Sequence, residues 1–233
     1  MNIKRLKQDL DRAGFEIVHA FPLDALRESC RAAIPSSDFS PSCGIIIGNT
    51  RTVWRPFLFW LNQQSNWNAL PHPFEAFSEH TISQYCQQYF DRAHVLWTHE
   101  TKDYVVPAQK IAQESGLAFR SAGQFNIHPT FGPWFALRAL ILLSDTPTPT
   151  KTNVQNPSSD AIEKQAHALF QKLYNKMKHA NDMDTVQYEW KSWLALRDLY
   201  EVGKKYRYTD PQIQYHYTHD KKVLVEELER IFS

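Results

Sequence analysis

Glycine is scarce in this chain, at 7 of 233 residues against 13 prolines. Neither a GxGxxG run nor a glycine-rich loop ending in Gly-Lys occurs, which excludes mononucleotide binding through a phosphate-cradling loop. Cysteine is scarcer still. Cys30, Cys43 and Cys86 are odd in number and far apart, so they read as reduced thiols rather than a disulfide framework, and they are too few for a four-thiolate zinc or iron-sulfur site. Neither sign of charge predominates. With 26 Lys and Arg against 25 Asp and Glu, the net charge of +1 supplies no field for a polyanion, and nucleic acid is not an expected partner. Nor is there a long apolar run. The first residues, MNIKRLKQDLDRAGF, carry charges where a signal peptide needs hydrophobics, and no stretch approaches the roughly 18 apolar residues of a membrane span. The expectation is a cytoplasmic protein with no membrane attachment. No Ser-His-Asp or Cys-His arrangement asks to be read as a hydrolase.

Large aromatic residues are plentiful: fourteen phenylalanines, seven tryptophans and ten tyrosines. Such a chain builds bulky cores and is also suited to a large flat ligand. Ile3, Leu6, Leu10 and Ala13 recur at helical spacing and stop at Gly14, which predicts an opening amphipathic helix. Phe15 to Phe21 and Gly44 to Gly48 read as strands, Arg55-Pro56-Phe57 as a helix start, Pro73 to about Phe90 as a helix and Ala93 to Trp97 as a strand. Pro107 to Ser115 reads as a helix closed by Gly116. Phe125 to His128 and Trp134 to Leu143 read as two strands meeting at the turn His128-Pro129-Thr130-Phe131-Gly132-Pro133.

Asp145 to Ser159 is polar and rich in Pro, Thr, Asn and Ser, as a linker or exposed loop would be. Beyond it, Asp160 to about His179, Thr185 to about Lys204 and Lys222 to Ile231 are helix-like, with no strand of comparable strength. The fold class expected is α+β: an antiparallel or mixed sheet flanked by helices, with a helical C-terminal third. The length suits one domain over 1–233, made of a sheet-containing core over 1–145, a loop over 146–159 and a helical cap over 160–233.

Residues 108–145, AQKIAQESGLAFRSAGQFNIHPTFGPWFALRALILLSD, carry the most specific signal. Ile127-His128-Pro129-x-Phe131-Gly132-x-Trp134-Phe135-Ala136-x-Arg138 resembles, in spacing and residue type, the central segment of the CblC-type cobalamin-processing proteins, the family named for methylmalonic aciduria with homocystinuria type C. Gly14-Phe15-Glu16, Arg55-Pro56-Phe57-Leu58, Trp190-x-x-Trp193 with Arg197-Asp198, and Tyr208-Thr209-x-x-Gln212-x-x-Tyr215 extend the resemblance along nearly the whole chain. The sequence departs from the family where His-x-x-Gly is replaced by Gln113-Glu114-Ser115-Gly116 and a run of tyrosines by Ala118-Phe119-Arg120. The segment is also similar, more distantly, to the cobalamin-binding core of epoxyqueuosine reductases and reductive dehalogenases, whose Cys-rich ferredoxin module has no counterpart here.

The resemblance implies a flavin-reductase (nitroreductase)-like scaffold and a protein that binds cobalamin base-off and removes its upper axial ligand. Cyanide would leave by reduction with a flavin, FMN or FAD, and an alkyl group by transfer to glutathione thiolate. It implies that Arg138 and Arg197 hold the glutathione carboxylates, for which arginine's planar fork is suited. It also implies a corrin site from Gln113, Gly116, Phe119, Gly123, Gln124, Ile127, His128, Pro129, Phe131, Gly132 and Trp134, with Trp190 and Trp193 as a lid and no metal ligand from the protein. The partners implied are a flavin reductase or a downstream cobalamin-trafficking protein, with the chain a monomer or homodimer. Two other readings stand beside this one: a carrier without catalysis, and a flavin-dependent reductase of other substrates on the same scaffold.

Each residue also has a plainer reading. Arg138 inside an apolar strand is an ion-pair partner, His128 before a proline shapes its turn, and Trp190 and Trp193 are core residues on one helix face. His216-x-x-His219 has a spacing that suits zinc on a helix but reads better as a solvated tail. Glu100, Asp103 and Glu114 read as surface charges.

Overall fold

The computed structural model describes residues 3–144, 154–179 and 189–233. The chain groups into two compact units, one of residues 1–117 and 135–153, the other of 118–134 and 154–233.

The first unit holds a four-stranded antiparallel sheet in the order β1-β2-β6-β3, with β1 Ile17–Pro22, β2 Cys43–Asn49, β3 His94–Trp97 and β6 Ala136–Leu143. Every residue of β2 is buried. A strand covered on both faces cannot alternate apolar with polar, which is why Ile45, Ile46 and Ile47 run together. Helices α1 Ile3–Arg12, α2 Glu28–Arg31, α3 Trp54–Asn62, α4 Pro73–Tyr89 and α5 Ala108–Glu114 complete the unit. α1 buries Leu6 and Leu10 as its spacing requires, and Gly14, at φ +89°, then turns the chain so closely over Val53 that a β-carbon would lie 2.4 Å from its Cα. Phe57, Phe74 and Phe77 form an aromatic core with ring centroids 5.0 to 6.2 Å apart.

The second unit is mostly helical: α6 Asp160–His179, α7 Trp190–Asp198, α8 Asp210–Thr218 and α9 Lys221–Phe232. It also contains a two-stranded ribbon, β4 Phe119–Arg120 against β5 Asn126–Ile127. This corrects the expectation that two strands meet at the 128–133 turn: β5 pairs backwards with β4, and β6 enters the other sheet. The reason is local. The His128 and Gly132 backbones exchange hydrogen bonds of 2.9 and 2.8 Å, which closes the turn on itself before β6 begins.

Three other expectations shift. The expected helix to Lys204 ends at Asp198, the chain turning later at Gly203 (φ +76°), and 185–188 lie outside the described residues. The stretch read as a solvated tail forms α8, started by Pro211 in its first turn and ended by His219 at φ +53°. Glu114 is buried rather than on the surface, at 9% exposure. The polar loop expected over 145–159 is described only from residue 154, where it has no regular structure until Asp160.

Candidate functional site

Most residues of the expected site fall in the second unit, and that unit's packing explains their types. The ribbon's connection, Ser121 to Phe125, puts Gln124 at φ +64° and folds Gly123 against α6 and α7. A β-carbon on Gly123 would meet the Tyr200 hydroxyl at 3.1 Å, Ala166 at 3.2 Å and Leu196 at 3.4 Å. Glu163 of α6 accepts a hydrogen bond from the Ala122 N–H at 2.6 Å and another from the Ser158 hydroxyl at 2.7 Å. Ile127 is fully buried with Leu173, Leu196 and Tyr200, and Phe125, Phe170 and Trp193 pack around them. Phe119 is half-buried opposite Ile127, and Arg120 donates to the Gln124 side chain at 2.6 Å.

His128 organises its own turn. Its Nδ1 accepts from the backbone N–H groups of Thr130 and Phe131 at 3.0 and 3.2 Å, and its ring stacks on Phe131 with centroids 4.6 Å apart. An accepting Nδ1 puts the proton on Nε2, so this tautomer has no lone pair to offer a metal. Pro129 is exposed at the turn's tip. Gly132, at φ +58°, faces the Val202 carbonyl so closely that a β-carbon would lie 1.8 Å away, while one on Gly203 would lie 2.1 Å from the Phe131 carbonyl. At Gly132 the close approach is thus made by the chain itself, backbone against backbone.

Trp134, only 1% exposed, is the hub of the second cluster, with Tyr208, Ile213, Trp190, Leu194, Tyr206 and Tyr217. Trp190 and Trp193 do not share a face: Trp190 stacks on Tyr217 in this cluster, and Trp193 meets Phe170 in the other. Two guanidiniums lie over the Trp134 ring, Arg197 at 5.6 Å and Arg207 at 5.5 Å. Their situations differ. Arg207 is held by Asp198 at 2.9 Å and Asp210 at 3.0 Å, and those contacts raise its pKa. Arg197 also lies over Phe125 at 5.4 Å, but among the described residues it has no carboxylate partner, and its buried Nε has no hydrogen-bond acceptor. A half-buried cation held by rings alone is a natural seat for an anion from outside the protein.

In the first unit, Arg138 donates from Nε to Asn49 Oδ1 at 2.6 Å and lies over Phe74 at 4.5 Å. Asn49 is fully buried, and its carboxamide oxygen helps to position the guanidinium. Gln113 is exposed at the end of α5, and Gly116 is buried with φ +81°. The structure therefore brings twelve of the fifteen site residues into one unit, while Arg138, Gln113 and Gly116 belong to the other.

Sequence reasoning passed over Asn49, Arg207 and Gln212 as site residues. Gln212 is fully buried in α8, and neither of its carboxamide atoms has a partner among the described residues. Its place in the Tyr208-x-x-x-Gln212-x-x-Tyr215 signature was the available signal. Among the described residues no group of three His, Cys, Asp or Glu is placed to hold a metal, and no helix is long and apolar enough to cross a membrane.

The class defined by these features is an α+β protein with an antiparallel sheet, a separate helical unit and an arginine-tryptophan centre. Among solved structures its fold is similar to that of a C. elegans B12-trafficking protein, CblC, a homologue of human MMACHC, with a TM-score of 0.75 over 100% of this chain and 97% of that one at 15% identity. The fold is thus CblC-type, as the resemblance in the sequence implied. No family model matches the sequence, and no curated protein does.

Proposed function

We propose that this chain is a cobalamin-binding and processing protein of the CblC family, built on a flavin-reductase-like scaffold and working in the cytoplasm. The observation that carries the reading is the end-to-end likeness to the fold of a B12-trafficking protein. The Ile127 to Arg138 segment, which resembles the family's central segment in residue type and spacing, supports it. Cobalamin is the substrate. Its broad, amide-fringed disc needs an apolar wall with polar groups beside it; the Trp134 cluster supplies rings, and the Trp193 indole N–H and Gln212 carboxamide have no partner among the described residues.

The chemistry proposed is removal of the upper axial ligand, either by glutathione-dependent dealkylation or by reductive decyanation with a flavin. Glutathione fits the residues present: it brings two carboxylates, and Arg197 is a ring-held guanidinium without an acid of its own. Arg138, bonded to Asn49 within the other unit, is proposed as a carboxylate holder on the resemblance alone. When bound, glutathione supplies the thiolate that takes the alkyl group. The residues Arg197, Trp134 and Phe125 orient it and keep the site dry.

A carrier reading is favoured by one feature. The family's His-x-x-Gly is Gln113 to Gly116 here, with Gln113 exposed and Glu114 engaged elsewhere. Partners on either reading are a flavin reductase or a downstream cobalamin-trafficking protein. The deciding experiment is the visible spectrum of the protein with hydroxo- and methylcobalamin, followed by anaerobic addition of glutathione or reduced flavin. A base-off shift followed by conversion to a reduced cobalamin is expected. The shift without conversion selects the carrier, and no shift removes cobalamin from the reading.

A further inference from the structure

A cleft of the first unit, outside the residues assigned above, runs between helix α4 and the edge strand β3. One part, about 460 Å³, is lined by Glu79, His80, Ser83, Gln84, Gln87 and Trp97. Another, about 240 Å³, is lined by Ser83, Cys86, Gln87, Phe90, Asp91, Ala93 and Val95. Ser83 and Gln87 belong to both, so the two parts adjoin. The span from Glu79 to Phe90 is about 16 Å of helix, long enough for about five residues of extended chain.

One wall of this cleft is a strand with an open edge. Among the described residues β3 is last in the sheet and pairs only with β6. Thr98 N–H bonds the Arg138 carbonyl, so by antiparallel alternation the backbone groups of Trp97 and Val95 point away from β6. Trp97 N–H bears this out: it donates to the Tyr104 hydroxyl at 3.0 Å. Val95 has no such cover among the described residues, and its N–H and carbonyl are open to a pairing strand. The side chains of Ala93, Val95 and Trp97 alternate onto the cleft, the arrangement in which a peptide adds main-chain bonds at an edge and seats alternate side chains in a groove.

The charges select the occupant. Carboxylates stand at both ends, Glu79 and Asp91, and among the described residues no lysine or arginine lines either part. Among the described residues Glu79 is met by His99 alone, at 2.8 Å. We infer that the cleft between α4 and β3 is a docking site for an extended, lysine- or arginine-bearing segment of a partner protein, which pairs with β3 at Val95 and places its cations against Glu79 and Asp91.

The test uses the full chain and two fluorescein-labelled peptides, KVTVTK and EVTVTE, followed by fluorescence anisotropy. Saturable binding of KVTVTK is expected, with EVTVTE weaker by about tenfold or more. Ser83→Trp, which fills the shared part of the cleft, abolishes binding while circular dichroism and melting temperature stay those of the parent. Glu79→Gln, which keeps the helix and removes the charge, brings the two peptides' affinities together. Equal binding of the two peptides to the parent protein, binding indifferent to Ser83→Trp, or no saturable binding overturns the inference. So does light scattering that shows the edge taken up by a second copy of the chain.

Discussion

Arg27 clasps Glu114 through three nitrogens: its backbone N–H reaches Oε2 at 2.8 Å, and its Nε and Nη2 reach Oε1 at 2.8 and 2.7 Å. The carboxylate is buried and the guanidinium largely exposed, so the pair ties the end of α5 to the start of α2 from the solvent side. Burial pushes the Glu114 carboxyl up, but the Arg27 backbone N–H, the Arg27 guanidinium and Lys110 outweigh it and hold the pKa below its usual value. A carboxylate held low contributes stability above its unfolded pKa of about 4.3 and loses it as pH falls through the folded value. Glu114→Gln should cost about 1–3 kcal/mol at neutral pH and almost nothing in strong acid. Urea unfolding across pH checks this; a penalty that persists at low pH refutes the ionic origin.

His19 of β1 bonds the Ser115 carbonyl at 3.1 Å, one residue beyond Glu114. Burial lowers its pKa, against the pull of the Ser115 bond and with help from Lys7. A histidine held low gives stability above its unfolded pKa of about 6.5, and that contribution is lost as pH falls through the lowered folded value. Acid destabilisation should therefore begin before Glu114 titrates. His19→Gln should remove that early phase, and the proton NMR titration of the ring should place its midpoint below the usual histidine range.

Cys86 is buried and its thiol is pushed up to about 12 by burial. Cys30 is also raised, by burial and by the neighbouring Glu114. Nucleophilic reactivity belongs to the thiolate, so both should be inert in the folded protein at neutral pH. A chromogenic thiol reagent should titrate all three cysteines in denaturant and none quickly without it. Fast native labelling at Cys86 would mean that the wall of the α4–β3 cleft opens.

The sheet was legible because its signals are local. The triple isoleucine of β2, the spacing in α1 and the closing glycines Gly14 and Gly116 each follow from one element's own burial or backbone. β4 and β5 were not legible as a pair: each has two residues, too few for a period, and their partnership depends on Gly123 packing against α6 and α7, which are distant in sequence. The charge of Glu114 read as surface for a similar reason, since its partner Arg27 is 87 residues away. Within the candidate site, the sequence named Arg197 and Trp134 by resemblance. It had no means of showing that Asp198, adjacent to Arg197, would turn instead to Arg207.

Gly132 and Gly203 face each other's neighbours across the second unit, both with positive φ and both without room for a β-carbon. Alanine at Gly132 meets the left-handed penalty of about 1–2 kcal/mol and a carbonyl 1.8 Å away that belongs to the main chain and cannot swing aside. Gly132→Ala should destabilise the protein by more than Gly123→Ala, whose nearest neighbours are side-chain atoms at 3.1 Å or more. Thermal melts of the two variants give the comparison, and equal losses would mean that the Phe131–Val202 contact is soft.

Arg197 and Arg207 share the Trp134 ring, and the difference between them makes the last prediction. Arg207 is neutralised by two aspartates, so replacing it with lysine weakens a structural tie and should lower the melting temperature with little effect on substrates. Among the described residues Arg197 has rings but no acid, so Arg197→Lys leaves their ion pairs intact and removes the planar fork. On the proposed dealkylation, its half-saturating glutathione concentration should rise about tenfold, equivalent to about 1.4 kcal/mol, while methylcobalamin affinity stays unchanged. The measurement is anaerobic conversion of methylcobalamin at varied glutathione, with cobalamin affinity from the base-off shift. If cobalamin affinity falls and the glutathione dependence does not, the guanidinium belongs to the corrin rim and the carboxylate role assigned to Arg197 is wrong.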